Sequence, residues 1–245
     1  RSPSKLVSTV ALVVLAVYAV SSVMYPTLRI RYRLTVNIAD RGVIKTGSGV
    51  IEIEYQIGTD IFQSLGGRVS GQMHGNAITV DLGADGLIFI IDRSNSSSSL
   101  TRTFRYADLS SLPLYIYKPH VDSCEGPNFC LKNQVVRLQR DSPPPMALPP
   151  EALPAMVRFR NIQDPHSIEE LDPEALERTF GAQVHFDSAV IELTDEPLTS
   201  PPNNWPEWLK TGDPDKEIVS SEVHYPAPKW REDLLGLRIH NFRGG

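Results

Sequence analysis

A mainly β fold is predicted by three observations. Leu28 to Ile38 and Val50 to Tyr55 alternate apolar and polar residues with the period of two that a half-buried strand requires. Twenty prolines, together with many Gly, Ser and Asn, favour short strands and long connections over helices. Leu6 to Met24 carries no charge at all, which sets one apolar helix apart from a polar remainder. The expected architecture is a single N-terminal transmembrane helix followed by a β-sandwich-like domain with one short helix and a long irregular C-terminal tail. Its divisions are an anchor (1–26), a first β-rich part (27–142), a proline-rich strap (143–155), a second β-rich part with the short helix (156–198) and the tail (199–245).

Leu6–Met24 comes first. At about 1.5 Å per residue it spans about 28 Å, close to the ~30 Å hydrocarbon core of a bilayer. Leu6, Val10, Val13, Val17, Val20 and Met24 are the expected membrane anchor, while Ala11, Ala16, Ala19 and Ser22 are small enough for close packing against another helix. A cleaved secretory signal is the alternative, with Arg1 and Lys5 as its basic region. The run is longer than a signal core, and Ala19–Ser21 is the nearest imitation of a cleavage site. A buried core helix is a weaker alternative, because few polar residues interrupt the run. Orientation is contested. Arg29, Arg31 and Arg33 outnumber Arg1 and Lys5, which by a positive-inside count would keep the domain in the cytoplasm, but long domains translocate largely regardless of charge.

Cys124 and Cys130 weigh on the other side. They are the only two cysteines, separated by the turn-rich Glu-Gly-Pro-Asn-Phe, and a small-loop disulfide is the economical reading; two unrelated thiols, metal ligation or a redox pair are the alternatives. Such bridges persist in oxidising compartments. The expected location is therefore the cytoplasmic (inner) membrane of a bacterium, with the C-terminal domain in the periplasm.

Along the chain, Leu28, Ile30, Tyr32, Leu34, Val36 and Ile38 form one face of a strand, with Arg29, Arg31, Arg33, Thr35 and Asn37 on the other. The three arginines are candidates for contact with lipid phosphates or an acidic partner, or they pair with acidic neighbours on a solvated face. Asp40-Arg41-Gly42 makes a turn into the second strand, and the two form a hairpin. A second hairpin is expected from Arg68–Met73 and Ala77–Leu82 around His74-Gly75-Asn76. Leu87–Ile91, continuously apolar and too short for a buried helix, is expected at the middle of the core. Asn95–Ser99 reads as an exposed loop and Val135–Leu138 as a short strand. Six prolines between Pro143 and Pro154 demand an extended strap outside any central sheet. Met156–Ile162 is a strand. Asp172-Pro173-Glu174 opens the short helix with an N-cap, a first-turn proline and a carboxylate, and Gly181 closes it. Gln183–Leu193 is a further strand. In the tail, Trp205, Trp208 and Trp230 are candidates either to wrap the domain or to dock on a partner.

The segments YRLTVNIADRGVIKTGSGVIEIEY, AITVDLG and MVRFRNIQDPHSIEELDPEALERTFGAQVHFDSAVIELTDEP, with the ending FRGG, resemble a family of uncharacterised, single-pass membrane-anchored proteobacterial proteins. The resemblance spans about two thirds of the chain in scattered blocks and leaves out the cysteine loop and the tryptophan-bearing tail. It implies a bacterial origin and a single anchor, and it assigns no activity and no role to any residue.

Chemistry-bearing patterns are sparse. Gly47-Ser48-Gly49 lacks the frame of a nucleophile elbow and reads as a flexible turn. The six histidines show no metal-ligand spacing, and His120 with Asp122 is the close pair weighed as a metal site. There is no phosphate loop, and a net charge of −5 with a pI near 5.7 argues against a nucleic-acid partner. No catalytic, cofactor or metal residue is assigned, and no cofactor is expected. Two readings follow. The first is a non-catalytic accessory subunit whose partners are the lipid bilayer and the subunits of an integral-membrane complex. The second is a membrane-tethered periplasmic ligand-binding module or hydrolase acting on a cell-envelope substrate.

Overall fold

The computed structural model describes residues 27–56, 70–93, 109–118, 127–213, 216, 218 and 237–243. The expected anchor, Cys124 and Trp230 lie outside the described residues, and so do His120, Asp122 and the Asn95–Ser99 loop. Among the described residues no helix is long and apolar enough to cross a membrane.

Two antiparallel sheets make up the fold. The first strand, β1 (Thr27–Asp40), buries Ile30, Tyr32, Leu34, Val36 and Ile38 on one face, as the alternation requires. It pairs along its whole length with β2 (Val43–Gln56), from Thr27 opposite Gln56 to Asp40 opposite Val43. Arg41 (φ 50°) and Gly42 (φ 78°) close the hairpin, both in the left-handed region that a two-residue turn between right-twisted strands demands. Arg41 is an uncommon residue there. Its N–H donates to the Gln183 carbonyl at 3.0 Å and its guanidinium meets Asp85 at 2.8 Å, which holds it in place. The five-stranded sheet is completed by β3 (Ser70–His74), β6 (Met146–Leu148) and β9 (Val184–Leu193), in the order β3-β2-β1-β9-β6. The proline-rich strap thus enters this sheet, but only as three residues at its edge, where a missing N–H is tolerated.

The four-stranded sheet runs β4 (Ile78–Asp81), β5 (Leu87–Ile90), β7 (Met156–Phe159) and β8 (Ile168–Leu171). The expected second hairpin does not form. β3 pairs with β2 and β4 with β5, so the chain changes sheets at Gly75-Asn76-Ala77 instead of folding back. Met73 and Ile78 consequently enter one hydrophobic cluster from opposite sheets, a burial that a two-stranded hairpin could not supply. Side chains of both sheets fill the space between them, with Ile30, Tyr32, Ile51 and Ile53 on one side and Ile78, Val80, Ile88, Ile90 and Met156 on the other. Leu87–Ile91 is apolar throughout because both its faces are covered: Ile88 and Ile90 join this first cluster, Phe89 and Ile91 a second.

Gly47-Ser48-Gly49 is not a turn. It lies within β2, where β4 crosses closest. A Cβ at Gly47 would fall 2.8 Å from Val80 Cγ2 and 2.8 Å from the Thr79 carbonyl carbon, and one at Gly49 would meet Ile78 Cδ1 at 2.5 Å. Gly47 brings two backbones into contact, and Gly49 leaves room for the Ile78 side chain.

Of the helices, α1 (Leu112–Ile116) is tied to the larger sheet by three buried tyrosines around it. Tyr32 Oη donates to the Leu109 carbonyl at 2.6 Å, Tyr55 Oη to Ser110 at 3.0 Å and Tyr117 Oη to Ile191 at 3.0 Å. The expected strand at Val135–Leu138 is instead part of α2 (Pro127–Asp141), which also contains Cys130. Pro127 suits a first helical turn, and Leu131, Val135 and Leu138 recur at helical spacing on the buried side. The Cys124–Cys130 spacer is therefore helical from Pro127 on, and the expected bridge, which needs Cys124, falls outside the described residues.

The Asp172 signal is answered by a 3-10 turn (Pro173–Ala175) followed by α3 (Glu177–Phe180). Asp172 accepts from the Glu174 N–H at 3.0 Å, and Gly181 (φ 94°) returns its N–H to Glu177. The described parts of the tail pack on the domain: α4 (Glu207–Thr211), Trp205, Leu237, Ile239 and Phe242 cover the outer face of the four-stranded sheet against Phe89, Val157 and Phe159. Phe89 stands 5.6 Å from Phe159, Trp205 and Phe242, centroid to centroid.

Two outcomes follow for stability. Gly47→Ala inserts a methyl where two backbones meet and is expected to cost about 1–3 kcal/mol in urea unfolding, with exposed Ser48→Ala near neutral. Burial, then the nearby Glu192 carboxylate, push the Tyr117 hydroxyl up to about 12. Its folded-state value lies above the unfolded one, so the neutral phenol stabilises the fold fully below pH ~10 and that contribution is lost as pH rises toward 12. Denaturant titrations at pH 8 and 11 are expected to show an alkaline stability loss that Tyr117→Phe reduces.

Candidate functional site

Arg29, Arg31 and Arg33 project from the outer face of β1, and the register of β2 sets acidic partners opposite the first two. Arg29 faces Glu54 and Arg31 faces Glu52. Arg29 Nη2 lies 2.9 Å from Glu54 Oε2. Arg31 grips Glu52 Oε2 through Nε at 3.2 Å and Nη2 at 2.6 Å. Glu52 is only 13% exposed, so its charge is held largely out of water by this pairing.

The arginines also hold a strap. Beyond β9, Asp195-Glu196-Pro197 carries the chain off the end of the strand and across the outer face of β1. Arg31 Nη1 donates to the carbonyls of Asp195 (3.2 Å) and Glu196 (3.0 Å), and Arg33 pairs with the Glu196 carboxylate. On the far side Thr199 Oγ1 accepts from the Val50 N–H at 2.8 Å, and its carbonyl accepts from Asn76 at 2.8 Å. The strap leads to Trp205, whose indole N–H donates to Thr79 Oγ1 at 2.8 Å.

The departure of β9 leaves a cleft of about 350 Å³ bordered by Arg29, Arg31, Glu52, Gln139, Leu193 and Asp195. Its walls are the start of β1, the end of α2 and the end of β9. The Thr194 N–H reaches the Arg31 carbonyl at 3.1 Å, the last rung of the β1–β9 side; two residues earlier the Arg29 carbonyl accepts instead from the side-chain amide of Gln139 at 2.6 Å. A second, shallower recess of about 650 Å³ is lined by Tyr115, Ile116, Lys118, Met146, Ala147 and Pro149.

Protein-family models, curated proteins and solved structures were compared with the chain. None matches.

The sequence-predicted residues thus divide. Arg31 and Arg33 are engaged by the chain's own carboxylates and carbonyls, as on a paired face; Arg29 is paired as well, though its side chain stays 61% exposed. Trp205 is buried in the second hydrophobic cluster, and Trp208 packs against Phe159 at 5.3 Å and donates to the Ile162 carbonyl at 3.0 Å. Both rings pack on the outer face of the four-stranded sheet, as the alternative that the tail wraps the domain expects. The cleft joins Arg29 and Arg31 to Glu52, Gln139 and Asp195; in the sequence Asp195 reads only as one of two adjacent acids at a proline stop, explained by solvation, and Glu52 and Gln139 carry no functional signal. Glu52 and Glu54 were findable in principle, from a hairpin closed at Arg41-Gly42, by counting rungs outward. Among the described residues no three His, Cys, Asp or Glu side chains are grouped to hold a metal ion. With Glu52 paired to the Arg31 guanidinium, the cleft offers the Asp195 carboxylate, backbone hydrogen-bonding groups and a polar rim.

Arg31→Ala removes both the Glu52 pair and the two strap carbonyl bonds. It is expected to lower unfolding free energy by about 1.5–3 kcal/mol and to open a protease-sensitive site near Asp195–Leu198, read by limited proteolysis and mass spectrometry.

Proposed function

We propose that the chain is a non-catalytic accessory subunit of a bacterial inner-membrane complex, held by one helix over Leu6–Met24, with its β-rich domain in the periplasm contacting neighbouring subunits. The observation that carries this reading is the place where β1 begins. Thr27 follows the uncharged run after only Tyr25 and Pro26, and the strand it opens is the central one of the larger sheet. An anchor joined in this way gives the domain a fixed stance above the bilayer. A module that must search for a soluble ligand gains from a flexible linker; a subunit that must meet a fixed neighbour gains from its absence. The filled space between the two sheets also supports a surface-contact role over an interior ligand site. The resemblance to single-pass proteobacterial proteins adds support for the anchor.

The cleft at the start of β1 is the one observation that favours the second reading, a tethered module binding or hydrolysing a cell-envelope ligand. One of its two carboxylates, Glu52, is already engaged by Arg31, which weighs against a pair of carboxylates free for general acid–base work there.

Purification of the full chain from native membranes in mild detergent, through a C-terminal tag, is expected to bring down stoichiometric integral-membrane partners identifiable by mass spectrometry. A monodisperse protein with no companions would remove the accessory reading. Protease added to intact spheroplasts is expected to digest the domain; full protection would reverse the orientation.

A further inference from the structure

We infer that Thr27–Ile30 is an open strand edge that takes up an extended peptide segment of a neighbouring membrane protein, added to the sheet on the track that β9 vacates. The source of the segment rests on the accessory-subunit reading; the edge itself rests on geometry. Among the described residues β1 has a partner strand on both sides only from Tyr32 onward, because β9 pairs with Tyr32–Asp40 and then leaves across the outer face. The Thr194 N–H on the Arg31 carbonyl shows which residues direct their backbone groups to that side: Arg31, and by alternation Arg29. At Arg29 the position of a strand donor is taken by the Gln139 side-chain amide, an exposed group that can swing aside. Buried Ile30 and Leu138 lie behind the cleft with Leu193, and Arg29, Arg31, Glu52 and Asp195 stand around its rim, so an incoming strand would meet apolar side chains inward and charges outward.

Hydrogen-bonding complementarity commits the occupant to an extended backbone, the β-augmentation mode of peptide recognition. A second copy of this chain fits poorly. Two β1 strands paired antiparallel would send their N-termini, and so their anchors, in opposite directions. A partner segment next to its own membrane helix has no such conflict, because Thr27 itself lies three residues past Met24.

The test compares three full-length proteins in detergent: wild type, Arg29→Ala, which loses the guanidinium but keeps the N–H, and Arg29→Pro, which loses both. Proline at this position removes a donor that faces the cleft and not β2, so the hairpin ladder is retained. The probe is a phage-displayed pool of short random peptides selected on the wild type. Selected peptides are expected to bind wild type and Arg29→Ala alike and Arg29→Pro about tenfold more weakly, the worth of one backbone hydrogen bond. Synthetic versions N-methylated at successive positions are expected to lose binding at every second residue, a readout that holds even if Arg29→Pro fails to fold. Equal binding to all three proteins, an absence of enriched peptides, or uniform tolerance of N-methylation overturns the inference. So does a wild-type dimer that Arg29→Pro dissociates, which would assign the edge to a second copy. Peptides that depend on the Arg29 N–H while native purification yields no membrane partner would keep the edge and remove the accessory reading. Stoichiometric partners indifferent to Arg29→Pro would do the reverse.

Discussion

The structure depends on the two-faced character of β1. Its inward side chains, from Ile30 to Ile38, are buried, and they can stay so only while the outward arginines remain paired, since a slip of one residue would exchange the two faces. The cross-strand pairs Arg29–Glu54 and Arg31–Glu52 are therefore register markers as much as attractions. Their worth in the native state is modest, but any neighbouring register would leave Glu52 buried without its cation. β2, β9 and the strap all take their positions from this one strand.

The strap turns a surface feature into a structural one. By donating to the Asp195 and Glu196 carbonyls, Arg31 directs the chain from the end of β9 over the first sheet and toward the second, where Trp205 and α4 complete the outer layer. The same detour uncovers the beginning of β1. The cleft is thus a by-product of the route the chain takes, and its exposed backbone follows from the Glu196-Pro197 stop.

Local signals in the sequence were answered where both partners of a contact lie close in the chain. The alternation of Leu28–Ile38, the turn at Arg41-Gly42, the Asp172 cap with Gly181 and the central place of Leu87–Ile91 are of this kind. Contacts between distant segments were not legible. The glycines at 47 and 49 resemble a turn until β4, some thirty residues on, is known to cross them. The strand-like Val-Val-Arg-Leu of α2 resolves into a helix only with Leu131 included, and the tryptophans of the tail can be placed only once the apolar outer face of β5 and β7 is known. The arginines were visible from the start, but whether they were paired depended on a register fixed at the far end of the hairpin.

The C-terminal segment has a bearing on how the polypeptide matures. Phe242 completes the aromatic cluster around Phe89, and Arg243 places Nη2 2.6 Å from the Gly212 carbonyl at the end of α4. Phe89 leaves the ribosome some 150 residues earlier, roughly 10 to 30 s at ordinary synthesis rates. Throughout that interval one side of the smaller sheet has no cover from residues 237–243, so a nascent chain of this design spends its vulnerable period with greasy surface exposed and gains from a holdase until that segment emerges.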